Sequence, residues 1–325
     1  MRNNMEKGIW VFSENETLSL ELLGKGRELA DKLQQDLIGV LIGADQKAQA
    51  QTLIDYGADI VHVVDTPTLK HFFVESYTQV LTYLMETYNP LIFLIGATKL
   101  GHELAARVAI RVGTGCVANC VGLDFDSENQ LILEREVYGG RAIASEVCRT
   151  SPKIATVRPK TFTPRESESR TGKTIEDTVE LEEPKSKLIE LKKKEVGAES
   201  LTDASIVVIG GRGIQKKEDS HLLEELATAL RGRVGWTRPV VEDLKWFPGT
   251  EWVGLSGQKI TPNLYISAGV SGAIQHLAGI RGSKIIVAIN SDPNAPIFES
   301  ADYGIVGNLY EIVPAFIEAI KKRLS

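Results

Sequence analysis

The sequence predicts an α/β protein made of two open α/β domains, the C-terminal one a doubly wound parallel sheet and the N-terminal one carrying an antiparallel extension. Three observations predict it. At 325 residues the chain exceeds the roughly 250–300 residues at which a single core stops growing, so two cores are expected. Short β-branched runs alternate with longer stretches that repeat apolar residues every three or four positions, the order that yields parallel sheets flanked by helices. That rhythm stops over a charged stretch, Arg165 to Ser200, and then restarts.

In the first half, strands are expected at Gly8–Ser13, Leu37–Ile42, Asp59–Val64 and Leu91–Gly96, with helices at Leu20–Leu33, Gln46–Tyr56, Leu69–Tyr88 and Leu100–Val112. From Cys116 to Pro164 the period changes to two, as in Leu131–Tyr138 and Ile154–Arg158 with the turn-forming Gly139-Gly140 between them, which predicts the antiparallel extension. Arg165 to Ser200 is dense in Glu and Lys and poor in aromatics, so it reads as a solvated edge strand and linker. The domain boundary is placed at its end, giving domains 1–200 and 201–325. Beyond it come the strand Ser205–Gly210, the helix Lys216–Leu230, the segments Leu264–Val270, Ser271–Ala278, Lys284–Asn290 and Tyr303–Gly307, and a closing helix, Leu309–Leu324. A domain wound this way binds its ligand outside the carboxyl ends of its strands.

Composition narrows the function classes. A hydrophobic content of 43% supports two cores, and 37 Lys+Arg against 43 Asp+Glu leave a net charge of −6, which disfavours nucleic acid or an anionic membrane surface as the partner. No apolar run approaches the ~18 residues that span a bilayer, and the first residues lack the apolar core of a signal peptide, so a cytoplasmic protein is expected. Cys116, Cys120 and Cys148 form no Cys-x-x-Cys pair and fall short of the four thiolates that an iron–sulfur cluster takes. They are expected as small buried side chains, no metal site is expected, and any electron-carrying group must be organic.

The chemistry concentrates in loops of the last domain where a strand hands over to a helix. Ile209-Gly-Gly-Arg-Gly213 follows an apolar strand; its glycines allow close backbone approach and Arg212 could complement a phosphate, although it is neither a dinucleotide fingerprint nor a P-loop. Gly235-Trp-Thr-Arg-Pro239 offers a hydroxyl and a guanidinium, and Val253-Gly-Leu-Ser-Gly257 presents Ser256 between two glycines. Ile266-Ser-Ala-Gly-Val-Ser-Gly-Ala-Ile-Gln-His276 is the most informative: Ser271 is expected to cap a helix whose small first-turn residues leave N–H groups open to an anion, with Gln275 and His276 within reach. Of the five histidines, His62, His71, His102 and His221 read as structural and only His276 sits in such a loop. Asn290 and Asn308, at two further strand ends, could hydrogen-bond a base or ribose.

In order along the chain, Gly210-Gly-Arg-Gly213, Ser271-Gly-Ala-Ile-Gln-His-Leu-Ala-Gly279, Ala288-Ile-Asn290, Ala295-Pro-Ile-Phe298 and Ala301-Asp-Tyr-Gly-Ile-Val-Gly307 resemble the alpha (large) subunit of the electron-transfer flavoproteins, and the resemblance covers the whole chain. It implies an FAD held mainly by the C-terminal domain, in a heterodimer whose smaller beta subunit pairs with the N-terminal domain. It implies electron transfer with an acyl-CoA dehydrogenase-type flavoenzyme, or a bacterial cytoplasmic complex that oxidises NADH and splits its electrons, with ferredoxin as one acceptor. Carried over by position, the implied FAD contacts are Gly211, Arg212 and Gly213; Thr237 and Arg238; Val253, Gly254, Leu255, Ser256 and Gly257; Ser271, Gly272, Ala273, Ile274, Gln275 and His276; Asn290; and Asn308 with Leu309.

Three positions depart from the family pattern: Leu255 stands for a glutamine, Ser256 for a threonine and Asn308 for an aspartate. These bear on FAD affinity and potential rather than on FAD binding itself. Reduction adds negative charge around flavin N1 and the C2 carbonyl, so a donor there favours the reduced ring. His276 is expected to supply it, Arg238 to add positive charge beside the ring, and Ser256 to bond N5. The rival expectations are an NAD(P)-binding enzyme subunit on a related fold and a non-redox nucleotide-binding scaffold subunit; no acid about twenty residues after Gly213 clearly ends a second strand, which weakens the NAD case.

Overall fold

The computed structural model describes residues 7–191, 201–247 and 252–324. These gather into two compact units that part after Leu191, each built on its own sheet. The expected boundary at 200/201 adjoins residues 192–200, which lie outside the described residues.

The first unit opens with β1 (Ile9–Phe12), α1 (Glu16–Leu33), β2 (Leu37–Gly43), α2 (Ala50–Asp55), β3 (Ile60–Asp65), α3 (Val74–Tyr88), β4 (Ile92–Gly96) and α4 (Lys99–Arg111). Every residue of β1, β2 and β4 is buried, as befits strands covered on both faces. Alternation sorts them: Ile9, Val11, Val61 and Leu94 join one apolar cluster, while Trp10, Phe12, Val64 and Phe93 join the other. Helix limits follow local chemistry. Asn15 Oδ1 accepts from Leu18 N at 3.0 Å to start α1, and Asn89, left-handed at φ 51°, ends α3.

Then come β5 (Cys116–Phe125), β6 (Leu131–Val137), β7 (Ala142–Glu146), β8 (Lys153–Val157) and β9 (Lys173–Glu176). The sheet order is β7-β6-β5-β8-β4-β1-β2-β3-β9. The antiparallel extension consists of β5, β6 and β7. One detail of the sequence expectation is corrected: Ile154–Val157, grouped with the extension, lies in β8, which runs parallel to both β4 and β5. Its residues are buried on both faces, so a short apolar run there carries no sign of strand direction. The charged stretch supplies β9 at the far edge, followed by a carboxylate, Asp177, that accepts from Tyr88 Oη at 2.7 Å and lies 2.7 Å from Nδ1 of the buried His62.

Between β1 and β4, where a nucleotide would enter a sheet of this winding, the two loops are joined through an acidic side chain: Thr98 Oγ1 donates to the Glu14 carboxylate and accepts from Gly101 N. The cysteines sit in this unit. Burial pushes the Cys116 thiol up to about 11 and Cys120 to about 12, which leaves both protonated and unreactive.

The second unit runs β10 (Ile206–Gly210), α5 (Ser220–Ala229), β11 (Arg233–Trp236), β12 (Leu264–Ala268), α6 (Ile274–Leu277), β13 (Ile285–Asn290), β14 (Tyr303–Val306) and α7 (Leu309–Leu324). All five strands are parallel in the order β11-β10-β12-β13-β14. The chain starts in β10, winds outward to β11, and returns to β12 on the other side, which makes the β10/β12 gap the topological switch point.

Candidate cofactor site

At the carboxyl edge of that sheet, over the switch point, lies a cleft of about 670 Å³. The loops after β10 and β12 cross there. Gly211 N donates to Ala268 O and Gly213 N to Gly269 O, both at 3.0 Å. The crossing needs glycine: a Cβ on Gly213 would stand 2.5 Å from Gly269 Cα, and Gly269 has φ +66°. With those two N–H groups engaged between loops, the charge this loop offers the cleft is the exposed Arg212 side chain.

The β11 loop contributes Thr237, whose N–H bonds Gly210 O at 3.0 Å and so hangs the loop on β10. The β12 loop contributes Val270, Ser271, Ala273 and His276. A sequence expectation is corrected here: α6 is a single turn beginning at Ile274, and its first position is flanked by Ala273 with no side-chain cap, so Ser271 caps nothing. Gly272, at φ +84°, packs against Ile297 and turns the chain away before a longer helix can form.

Asn290 shapes the β13 loop. Its Nδ2 donates to Val270 O at 2.8 Å and its Oδ1 accepts from Asp292 N at 3.0 Å, so the amide ties two cleft loops together. Asn308 Oδ1 accepts from Tyr310 N at 3.1 Å, capping α7. That 16-residue helix therefore turns the positive end of its dipole toward the cleft, which Asn308, Leu309 and Tyr310 line.

Ten of the nineteen sequence-predicted residues line this cleft: Gly211, Arg212, Gly213, Thr237, Ser271, Ala273, His276, Asn290, Asn308 and Leu309. The others stand outside its lining. Arg238 is exposed, with its guanidinium 5.8 Å from the centre of the Trp252 ring. Val253 to Gly257 form a separate loop sewn to α6, with Leu255 N donating to Gln275 O at 2.7 Å. Leu255 and Ile274 are about half exposed. Lining residues outside the predicted set include Gln215, Asp292, Pro296 and Tyr310. Ala295 and Pro296 had a signal in the Ala-Pro-Ile-Phe motif; Tyr310 enters because its hydroxyl donates to Asp219 at 2.6 Å and accepts from Gln215 N at 2.8 Å, a link 95 residues long in sequence.

The His276 ring is 7% exposed; Nδ1 lies 3.1 Å from Val253 O and Nε2 2.7 Å from Tyr265 Oη. Burial lowers its pKa to about 4, so the ring is neutral at pH 7. A carbonyl can only accept, so the proton sits on Nδ1 and Nε2 accepts from the tyrosine. Both ring nitrogens therefore have partners within the protein, and the residue also lines the cleft.

An open five-stranded parallel sheet with a polar, glycine-lined cleft at its switch point defines a nucleotide-cofactor-binding α/β protein. The chain matches the electron transfer flavoprotein domain over residues 9–183 and the electron transfer flavoprotein FAD-binding domain over residues 200–281. It is 40% identical over 328 residues to electron transfer flavoprotein subunit alpha of Thermoanaerobacterium thermosaccharolyticum, covering 98% of this chain and 99% of that one. Protein FixB of Clostridium saccharobutylicum is 39% identical, covering 98% of each chain. Lactate dehydrogenase (NAD(+),ferredoxin) subunit LctC of Acetobacterium woodii is 38% identical over 98% of this chain and 78% of its own. The chain belongs to the electron-transfer flavoprotein alpha-subunit family, whose members pair with a beta subunit, and its cofactor is FAD. Among the described residues no helix is long and apolar enough to cross a membrane, and no group of three or more His, Cys, Asp or Glu could hold a metal ion.

Proposed function

We propose that the switch-point cleft holds the FAD, and that this chain tunes the flavin while electrons enter and leave through other subunits. The observation that carries this reading is the order of the cleft's walls. Arg212 stands at the switch point, Asn290, Asn308 and the start of α7 on the β13–β14 side and Thr237 on the β11 side, with the 271–276 turn running between, its Ser271 O accepting from Ile297 N and its His276 against Val253 O.

The residues fit the cofactor. A pyrophosphate needs positive charge and close backbone approach; Arg212, the glycine crossing and the α7 dipole supply both. The adenosine then lies toward Asn290, Asn308 and Leu309, and the ring toward Thr237, Arg238 and Ser256. FAD, when bound, supplies the chemistry of accepting and giving up one or two electrons. Everything else falls to the protein. Arg238 places a fixed positive charge beside the ring end, Ser256 offers N5 a hydroxyl that both donates and accepts, and Val253, Gly254, Leu255, Gly257, Gly272, Ile274 and Gln275 form the wall that positions them. His276, beside the donor role expected of it, holds that wall in place through its bond to the Val253 carbonyl.

The electron donor in this reading is an acyl-CoA dehydrogenase-type flavoenzyme, in a bacterial cytoplasm. A second reading, NADH oxidation with electrons split toward ferredoxin, is favoured by the similarity to the LctC subunit, whose name carries both NAD(+) and ferredoxin. Counting nucleotides in the purified alpha–beta pair separates the two. Two FAD per pair support splitting; one FAD with one AMP supports the simple shuttle. In either case, failure of a partner dehydrogenase to reduce the bound flavin would overturn electron transfer through this chain.

A further inference from the structure

Behind the cleft wall, a chain of hydrogen bonds runs through two buried side chains. Tyr265, on β12, is fully buried, and His276 nearly so. The two rings meet at an interplanar angle of 48°, with the Tyr265 hydroxyl 2.7 Å from Nε2. On the opposite side of the imidazole, Nδ1 reaches the carbonyl of Val253, the first residue of the 253–257 loop. That loop is bound to the turn directly by Leu255 N to Gln275 O, and just beyond the turn Gly279 packs against Gly254 and accepts from Ile260 N at 2.8 Å.

We propose that Tyr265 is a positioning residue for the flavin: its hydroxyl holds His276 as the Nδ1–H tautomer, and the imidazole clamps the 253–257 loop to the 271–276 turn. The claim rests on the reading of this cleft as the FAD site. Its physical basis is the donor count. Only a neutral ring with its proton on Nδ1 satisfies the Val253 carbonyl while leaving Nε2 a lone pair for the tyrosine. The alternative tautomer would point Nε2–H at a phenol and leave Nδ1 facing a carbonyl, lone pair against lone pair, in a largely buried site. Burial raises the Tyr265 pKa, so the phenol keeps the proton it donates. Tyr265 does not line the cleft, so its effect on a ligand there passes through His276.

The test uses the full-length alpha–beta complex with 15N-labelled histidine, with its FAD and after FAD removal. His276 resonances are identified by their loss in His276→Gln. Long-range 1H–15N spectra report which ring nitrogen carries the proton. The expected result is a protonated Nδ1 and a hydrogen-bonded, unprotonated Nε2. In Tyr265→Phe, which keeps the ring volume, the Nε2 resonance moves toward that of a free lone pair. FAD then dissociates about fivefold faster, the loss of roughly one net hydrogen bond. A protonated Nε2 in the wild type, or an Nε2 resonance unchanged by Tyr265→Phe, overturns the assignment. The two readings fail differently. If FAD removal leaves the His276 signals where they were while the Nδ1–H tautomer is observed, it is the placement of FAD that fails, and the Tyr265–His276 clamp stands without a flavin to position.

Discussion

His276 and Arg238 lie at the two ends of a range that runs from fully buried and neutral to exposed and charged, and each has a measurable consequence. For His276 the folded-state pKa, about 4, lies below the ordinary 6.5. Between those values the unfolded chain takes up a proton that the folded chain refuses, so stability falls as pH drops through the window and is intact above it. The full loss is about 3 kcal/mol, of which about 2 is incurred by pH 5. Urea midpoints measured at pH 7.5 and pH 5 should show this dependence, and His276→Gln should reduce it by that amount; an equal dependence in both proteins would mean the ring is not held neutral. For Arg238, the exposed guanidinium 5.8 Å from the centre of the Trp252 ring, the proposed role is electrostatic. Arg238→Gln should lower the flavin midpoint potential by an amount on the order of tens of millivolts, and an unchanged potential would remove Arg238 from the tuning set. Asn290 and Asn308 are residues of another kind, since their side chains already bond the backbone of the cleft loops and define its outline before any ligand is considered.

At the scale of elements, the site depends on two loops that cross with no room between them. Gly269→Ala would combine a left-handed backbone at φ +66° with a Cβ 2.6 Å from Gly213 Cα. Strain and overlap together should cost roughly 2–4 kcal/mol, read as a lower thermal midpoint together with weaker FAD retention; a variant with both unchanged would show that the crossing is not tight. Those glycines were legible in the sequence because they stand directly after apolar strands, and the strand ends at Gly210, Ala268 and Asn290 follow from the same logic. What was not legible has physical reasons. Ser271 has the right chemistry for a cap, but the turn at Gly272 against Ile297 delays the helix by three residues, a contact 25 positions away in sequence. The bond from His276 Nδ1 to Val253 O, 23 residues earlier, and the entry of Tyr310 into the cleft come from folding that local patterns do not encode. Strand direction was hidden for the same reason: Ile154 to Val157 read alike in a parallel or an antiparallel sheet.

For the whole molecule, two sheets of related winding have opposite fates at their switch points. In the first unit Glu14, bonded by Thr98, puts an acid at the position, which opposes a phosphate; in the second, glycines leave an open cleft to which Arg212 brings a positive charge. This contrast agrees with the FAD-binding domain match over residues 200–281. The measurement that tests it most directly is the FAD affinity of Arg212→Glu in the alpha–beta complex. Arg212 is exposed, so reversing its charge leaves the fold and the melting point of the FAD-free protein as they are. The account predicts FAD binding to this chain weakened by about tenfold or more, the scale of a lost charge-assisted phosphate contact replaced by repulsion. Affinity equal to that of the parent protein would contradict it and place the flavin elsewhere.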